Sequence, residues 1–266
     1  GNKADVAADD LLEYWEEDPS TGVLLFYLES FERPRRFARV ARRVARSKPV
    51  VVVKAGRTEA GERAAGSHTA ALTASDTAVD ALFRQTGIVR AETLQEMFGV
   101  ARAVTDQPLP SGRRFAVVTN SGGPAILCAD ALEAAGLRVE PLSEETRAAL
   151  QEFLPAEAAV GNPVDMIASA DPAGYRRAVE TVLSAAEVDG LVVVYTPVGI
   201  HRTEEIERAV LDGVRAARER GAGGKPVYAS VVGGEEDVLV LSEGDDGLSV
   251  PAFPFPEEIG RVAGKL

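Results

Sequence analysis

The sequence predicts an α/β protein of two domains, each a mainly parallel β-sheet flanked by helices. Three observations predict it. The runs Val23–Leu28, Val50–Val53, Arg114–Thr119 and Gly190–Tyr195 are apolar throughout or nearly so, as in strands buried on both faces. Segments of helical spacing lie between them, the alternation of layered α/β folds. The turn-forming stretch Thr105–Gly112 separates two such series, dividing the chain into domains 1–107 and 108–266.

Composition agrees. Of 266 residues, 45% are hydrophobic and only 6% aromatic, with Ala and Val carrying much of the apolar load, which suits helices packed closely on a sheet. The net charge of −12 offers no basic face able to displace counterions, so no nucleic-acid partner is expected. Arg33, Arg35, Arg36, Arg39, Arg42, Arg43 and Arg46 cluster, but their spacing spreads them around a helix, the pattern of a solvated surface. A single cysteine, Cys128, excludes an internal disulfide and sits in the apolar segment Ala125–Leu132, where it reads as a small buried hydrophobe. No apolar run approaches the length of a membrane span, and a cytoplasmic protein with no membrane association is expected.

The elements follow in order. Asp5 is positioned to cap a helix from Ala8 to Glu17, with Leu11, Leu12, Tyr14 and Trp15 as its apolar side. Pro19–Gly22 breaks it before the strand Val23–Leu28, and Glu29 sits at that strand's carboxyl end. Pro34 opens a helix to about Ser47, and Lys48-Pro49 leads into the strand Val50–Val53. A loop from Ala55 to Ser75 contains His68, and mobility is expected from about Gly56 to Ala74. A helix begins at Asp76 or Thr77 and stops at Gly87; a short strand Ile88-Val89 and a helix Thr93–Val104 complete the first domain.

In the second domain the strand Arg114–Thr119 runs into the turn Asn120-Ser121-Gly122-Gly123 and a helix from Pro124 to Ala135. Leu137–Glu140 reads as a short strand, Ser143 caps a helix from Glu144 to Phe153, and Gly161–Asp165 reads as a loop. Then come a helix Pro172–Ala186, the strand Gly190–Tyr195, a charged amphipathic helix Thr203–Arg220, the strand Pro226–Ser230, a short strand at Val250 and a helix from Pro256.

Two places have chemical potential. A strand, two glycines and a helix put free N–H groups and a positive dipole end at Asn120, Ser121, Gly122 and Gly123, an arrangement that suits an anion; the same glycines would also serve a plain strand–helix turn. No lysine follows to make a P-loop. His68 is one of only two histidines, in a run of Gly, Ala, Ser and Thr, and no neighbour has ligand spacing, so no metal is expected. Ser67 beside it makes no hydrolytic triad. Taking a phosphoryl group is the chemical use left to such a histidine, and it requires a carboxylate to orient the ring and an N–H-rich or cationic cradle; Glu29 is a candidate for the first, and Lys54 and Arg57 could line the crevice.

Gly66-Ser-His-Thr-Ala-Ala-Leu72 with Ser75-Asp76, Lys54-Ala-Gly56, Thr119-Asn-Ser-Gly-Gly123 and Gly161-Asn-Pro-Val-Asp165 resemble, in order and approximate spacing, the NDP-forming (ADP-forming) acyl-CoA synthetases, relatives of succinyl-CoA synthetase. The likeness covers nearly the whole chain and is most specific at the histidine segment. It implies two flavodoxin-like, succinyl-CoA-ligase-like domains. It implies a ligase that interconverts acyl-CoA, ADP and phosphate with carboxylate, ATP and CoA through a phosphohistidine. His68 would then be the carrier, Glu29 the glutamate that steadies it, and Asn120–Gly123 the start of a helix facing the phosphate. CoA, ATP or ADP and phosphate would be substrates of a full-length protein, with no tightly bound cofactor. The family's CoA-binding and ATP-grasp domains are missing from this sequence, so a central fragment, inactive alone, is expected; their return as partners, a small-molecule acyl substrate and room for a homo-oligomer follow. Similar domains fused to GNAT-type protein-lysine acetyltransferases suggest the alternative of a ligand-sensing module.

Overall fold

The computed structural model describes residues 5–61, 63, 75–233, 240–242 and 247–266. The chain divides into two compact units, Gly1–Thr105 and Asp106–Leu266.

In the first unit three parallel strands, β1 (Leu24–Leu28), β2 (Val50–Lys54) and β3 (Val89–Ala91), lie in that order, with Leu28 beside Lys54 and Val53 beside Ala91. Leu24, Phe26 and Leu28 share a core with Val50 and Val52, with Leu12 of α1 (Ala8–Glu16), Phe37, Val40 and Val44 of α2 (Pro34–Val44), and Val79 and Phe83 of α3 (Asp76–Thr86). α4 (Leu94–Asp106) buries Met97, Val100 and Ala103. β1 is an edge strand whose burial alternates, with Tyr27 54% exposed, and so is not covered on both faces as its composition predicts. Asp5 is not the helix cap. Ala7 takes that position, and its N–H donates to Asp10 Oδ2 at 3.0 Å. Ser75 caps α3 by accepting from Ala78 N, and Gly87 ends it at φ +78°, a left-handed conformation that glycine adopts without cost.

The arginines of the first unit are more engaged than a solvated face would require. Arg33 and Arg36 converge on Asp9, whose side chain is 2% exposed, and on Asp10; Arg36 also reaches Glu13, and Arg43 reaches Glu13 and Glu16. The acidic side of α1 and the basic side of α2 thus neutralise each other across the helix pair. Charge composition alone shows both signs but not which residues meet.

The second unit has one six-stranded sheet in the order β5-β4-β6-β7-β9-β8: β4 (Phe115–Thr119), β5 (Val164–Asp165), β6 (Gly190–Tyr195), β7 (Val227–Val231), β8 (Val240–Ser242) and β9 (Ser249–Phe253). All pairs are parallel except β8 with β9. Ala116, Val118, Leu191, Val193 and Ala229 form one core with Leu150 of α6 (Glu144–Gln151), Tyr175, Val179 and Val182 of α7 (Pro172–Ser184) and Val210 and Val214 of α8 (Thr203–Glu219). The alternate residues Phe115, Tyr228 and Phe253 pack ring to ring on the other face, that of α5 (Gly122–Ala134) and α9 (Pro256–Ala263). Both helix pairs close at glycines: a Cβ on Gly213 would come 2.6 Å from Arg176 O, one on Gly260 2.5 Å from Ala131 C, and one on Gly264, just after α9, 2.5 Å from Ala135 Cβ. Gln107 is buried here, its Oε1 accepting from Val227 N and Arg218 Nη2, both at 2.9 Å.

Several short elements differ from expectation. Leu137–Glu140 makes only a single bridge, Arg138 to Arg114, because Asn162 occupies the edge instead. Asn162 Oδ1 accepts from Val117 N at 3.0 Å while its Nδ2 donates to Phe115 O and Glu140 O, both at 2.9 Å, so one side chain stands where a strand would pair. The Gly161–Asp165 stretch, read as a loop, supplies β5. A final pair, β8 antiparallel to β9, was not expected; it borders residues 243–246, which lie outside the described residues.

Candidate functional site

Both units gather their polar groups at the carboxyl ends of parallel strands, where loops leave an α/β sheet and ligands bind. In the first unit Glu29 follows β1 directly. Its Oε2 is buried and has no hydrogen-bond partner among the described residues, while neighbouring Ser30 is 6% exposed. A buried carboxylate oxygen without a donor is costly to a fold and marks a place where a donor is expected. Lys54 ends β2 at 4% exposure, and its ammonium donates to Ala55 O. Arg57 beyond β2, Asp76 at the start of α3, Arg90 on β3 and Glu92 just after it form a set of ion pairs. His68 lies outside the described residues, as do most of the residues of the loop whose mobility was expected.

In the second unit β4 ends in Thr119, and α5 begins two residues earlier than Pro124 suggests, so Gly122 and Gly123 are its first turn. Asn120 is 3% exposed and its amide is engaged at both ends: Nδ2 donates to Thr196 O and Oδ1 accepts from Thr196 N, both at 2.9 Å. It braces the end of β4 to the end of β6. Thr119 Oγ1 accepts from Ser121 N at 3.0 Å and donates to Ser121 O at 3.1 Å, which holds the turn. Ser121 makes no side-chain capping bond, so the amides of Gly122 and Gly123 head α5 without one. Nothing lies within 4 Å of a Cβ placed on Gly123, whereas one on Gly122 would stand 3.0 Å from Asp165 Oδ2. Asp165 in turn accepts from Ile167 N at 3.0 Å, and Ile167 holds φ at +61°, a left-handed conformation that strains a β-branched residue. Beyond the Gly161–Asp165 motif, no local pattern marks this approach of Asp165 to the Gly122 turn.

Other candidates have settled positions. Cys128 is fully buried, and burial foremost, with the charge of Glu257, pushes its thiol up to about 12. Among the described residues no group of three or more His, Cys, Asp or Glu is placed to hold a metal, and no helix is long and apolar enough to cross a membrane.

Two α/β units with parallel strands and polar strand ends, one with an uncapped helix start and the other with a buried Glu29 Oε2 that has no hydrogen-bond partner among the described residues, place the chain in the class of layered α/β proteins. Residues 1–104 match the succinyl-CoA ligase like flavodoxin domain, and residues 115–263 the Ligase-CoA domain. The chain belongs to this CoA-ligase family. The acetate–CoA ligase [ADP-forming] II subunit alpha of Pyrococcus furiosus is 41% identical over 99% of this chain and 57% of its own length. The corresponding enzyme I subunit alpha of the same organism is 36% identical over 100% and 56%. A solved structure of the dinucleotide-forming acetyl-coenzyme A synthetase 1 of Ca. Korarchaeum cryptofilum, in complex with phosphate and ADP, superposes with a TM-score of 0.88 at 32% identity, covering 100% of this chain and 56% of that one. The chain spans about half the length of the relatives it matches.

Proposed function

We propose that the chain forms the phosphoryl-handling part of an ADP-forming acyl-CoA synthetase. Acyl-CoA and phosphate give acyl phosphate and CoA; a ring nitrogen of His68 then attacks the phosphorus, the bond to the acyl oxygen breaks, and the carboxylate leaves. ADP takes the phosphoryl group from His68 to become ATP, and the ring is restored. CoA, the nucleotides and phosphate are substrates, and CoA-binding and ATP-grasp domains, in the same chain or another, are the partners this requires.

The observation that carries the reading is Glu29, whose buried Oε2, at the carboxyl end of β1, has no donor among the described residues. An imidazole N–H directed at that oxygen would satisfy it and hold the ring with its other nitrogen free for phosphorus. The relatives' shared chemistry supports the same assignment, since those named above are ADP-forming CoA ligases. For the second unit the proposal is narrower than the four-residue turn. Gly122 and Gly123 offer their amides to the phosphate, Ser121 is the hinge into the helix, and Asn120 acts as the brace that fixes the turn.

The test is phosphorylation of the full-length protein by labelled ATP. Acid-labile, base-stable label at residue 68 is expected, with none in His68→Ala. Glu29→Gln keeps the size but reverses the hydrogen-bonding, and should slow labelling about 10- to 100-fold. A wild-type protein with an intact ATP-grasp domain that takes no acid-labile label would overturn the proposal.

A further inference from the structure

Asp165 ends β5, and its main chain is pinned on both sides. It lies beside Thr119 in the parallel register of β4 and β5, and the next N–H, that of Met166, donates to Thr119 O at 2.8 Å. Asp165 N and O exchange hydrogen bonds with Ala159 O and N, both at 2.9 Å. Its Oδ1 accepts from Ile167 N at 3.0 Å, while Oδ2 is the oxygen against Gly122, 3.0 Å from where a Cβ would stand. The carboxylate is thus held still beside the first residue of α5. Across β4 from it, just beyond β6, is Thr196, whose main chain the Asn120 amide grips. The Oγ1 of Thr196 is buried and has no hydrogen-bond partner among the described residues.

These groups divide by chemistry. The amides of Gly122 and Gly123 and the hydroxyl of Thr196 can donate a hydrogen bond, whereas the Asp165 carboxylate can only accept one. A fully ionised oxyanion in the turn would meet Asp165 with no proton between them, and the two charges would repel. An oxyanion that keeps a proton would donate it to Oδ2 and take its remaining bonds from the donors.

We propose that Asp165 makes this turn selective for an oxyanion that carries a proton, so that it takes phosphate and rejects sulfate. This rests on the reading of the Gly122–Gly123 turn as the phosphate site. The two ions share a tetrahedral shape and nearly the same size, and backbone amides alone do not separate them. At neutral pH phosphate retains a proton and sulfate has none. A site built to hydrogen-bond a group rejects the analogue lacking it more strongly than shape allows, because its own polar atom is left unpaired.

The experiment titrates sodium phosphate and sodium sulfate calorimetrically into the full-length enzyme, a reading that requires no transfer to His68. Wild type should bind sulfate at least about 100-fold more weakly than phosphate. Asp165→Asn keeps the size of the side chain but lets its Nδ2 donate. Sulfate should then bind about 10-fold tighter than to wild type while phosphate weakens, and the preference should all but disappear. A purely structural role for Asp165 would weaken both anions together and leave their ratio unchanged, and that result would overturn the proposal. So would a wild type that binds the two anions equally, a measurement that needs no variant to fold. Gly123→Asp sets a carboxylate at the amides themselves, where nothing lies within 4 Å of the new Cβ, and should abolish binding of both anions. Unchanged phosphate binding in Gly123→Asp would instead remove the turn as the phosphate site, and this proposal with it.

Discussion

At the scale of single residues, the second unit uses side chains in place of backbone. Glu187 shows this most clearly. Its burial opposes the charged form, but bonds from the N–H groups of Ser143 and of Glu187 itself and from the hydroxyls of Thr146 and Ser143 outweigh that, and its carboxyl falls to about 2. A carboxyl lowered in the folded state stabilises the fold fully above its unfolded value, near 4.5, and loses that contribution as pH falls towards 2. Urea unfolding at pH 7, 4 and 2.5 should therefore show Glu187→Gln less stable than wild type at pH 7, with the difference shrinking across that window. Residues of this kind were poorly legible beforehand. Asn120 reads from sequence as part of an anion turn, yet its side chain is committed to Thr196, a partner 76 positions away that no local pattern reveals. The place of Glu29 at the carboxyl end of β1 was legible because a carboxylate ending an apolar strand is conspicuous in one dimension. Asp165 beside Gly122 was not, because it depends on a fold contact.

Among elements, legibility followed length. The strand β6 and the helix α8 coincide with their sequence patterns to within a residue, since buried runs and amphipathic spacing are local signals. The two-residue β5 and three-residue β8 have no period to detect and exist only because a partner strand is present. Packing between helices was equally hidden. Gly213 and Gly260 look like helix-weakening residues, but each is the point where two helices touch across a face of the sheet. Gly213→Ala should cost about 1–3 kcal/mol, because the obstacle is the carbonyl of Arg176 in α7 rather than a side chain that can turn aside. The midpoint shift in urea unfolding measures it, and Gly123→Ala, where nothing lies within 4 Å, is the control expected to leave the midpoint nearly unchanged.

For the whole molecule, the units have separate cores, one around Phe37 and Phe83 and one around Tyr175 and Val193. Phe83→Ala should lower one calorimetric transition of this chain, by about 3–5 kcal/mol in the stability of the first unit, and leave the other in place. A single transition moving as a whole would show instead that the units unfold together. Two layered α/β units could be foreseen because alternation of patterns survives errors in any one element. The histidine segment was visible by resemblance, although its structure lies outside the described residues. The strand order carries a further consequence for synthesis. β4 emerges first in the second unit yet lies inside the sheet, and it must wait for Asn162, 45 residues later, to cover the edge at Val117. Its other neighbour begins beside Asp189, 75 residues beyond Arg114. On a ribosome adding about 5–20 residues per second, an apolar strand with unsatisfied edges persists for seconds, and this is the interval in which the nascent chain most needs a chaperone.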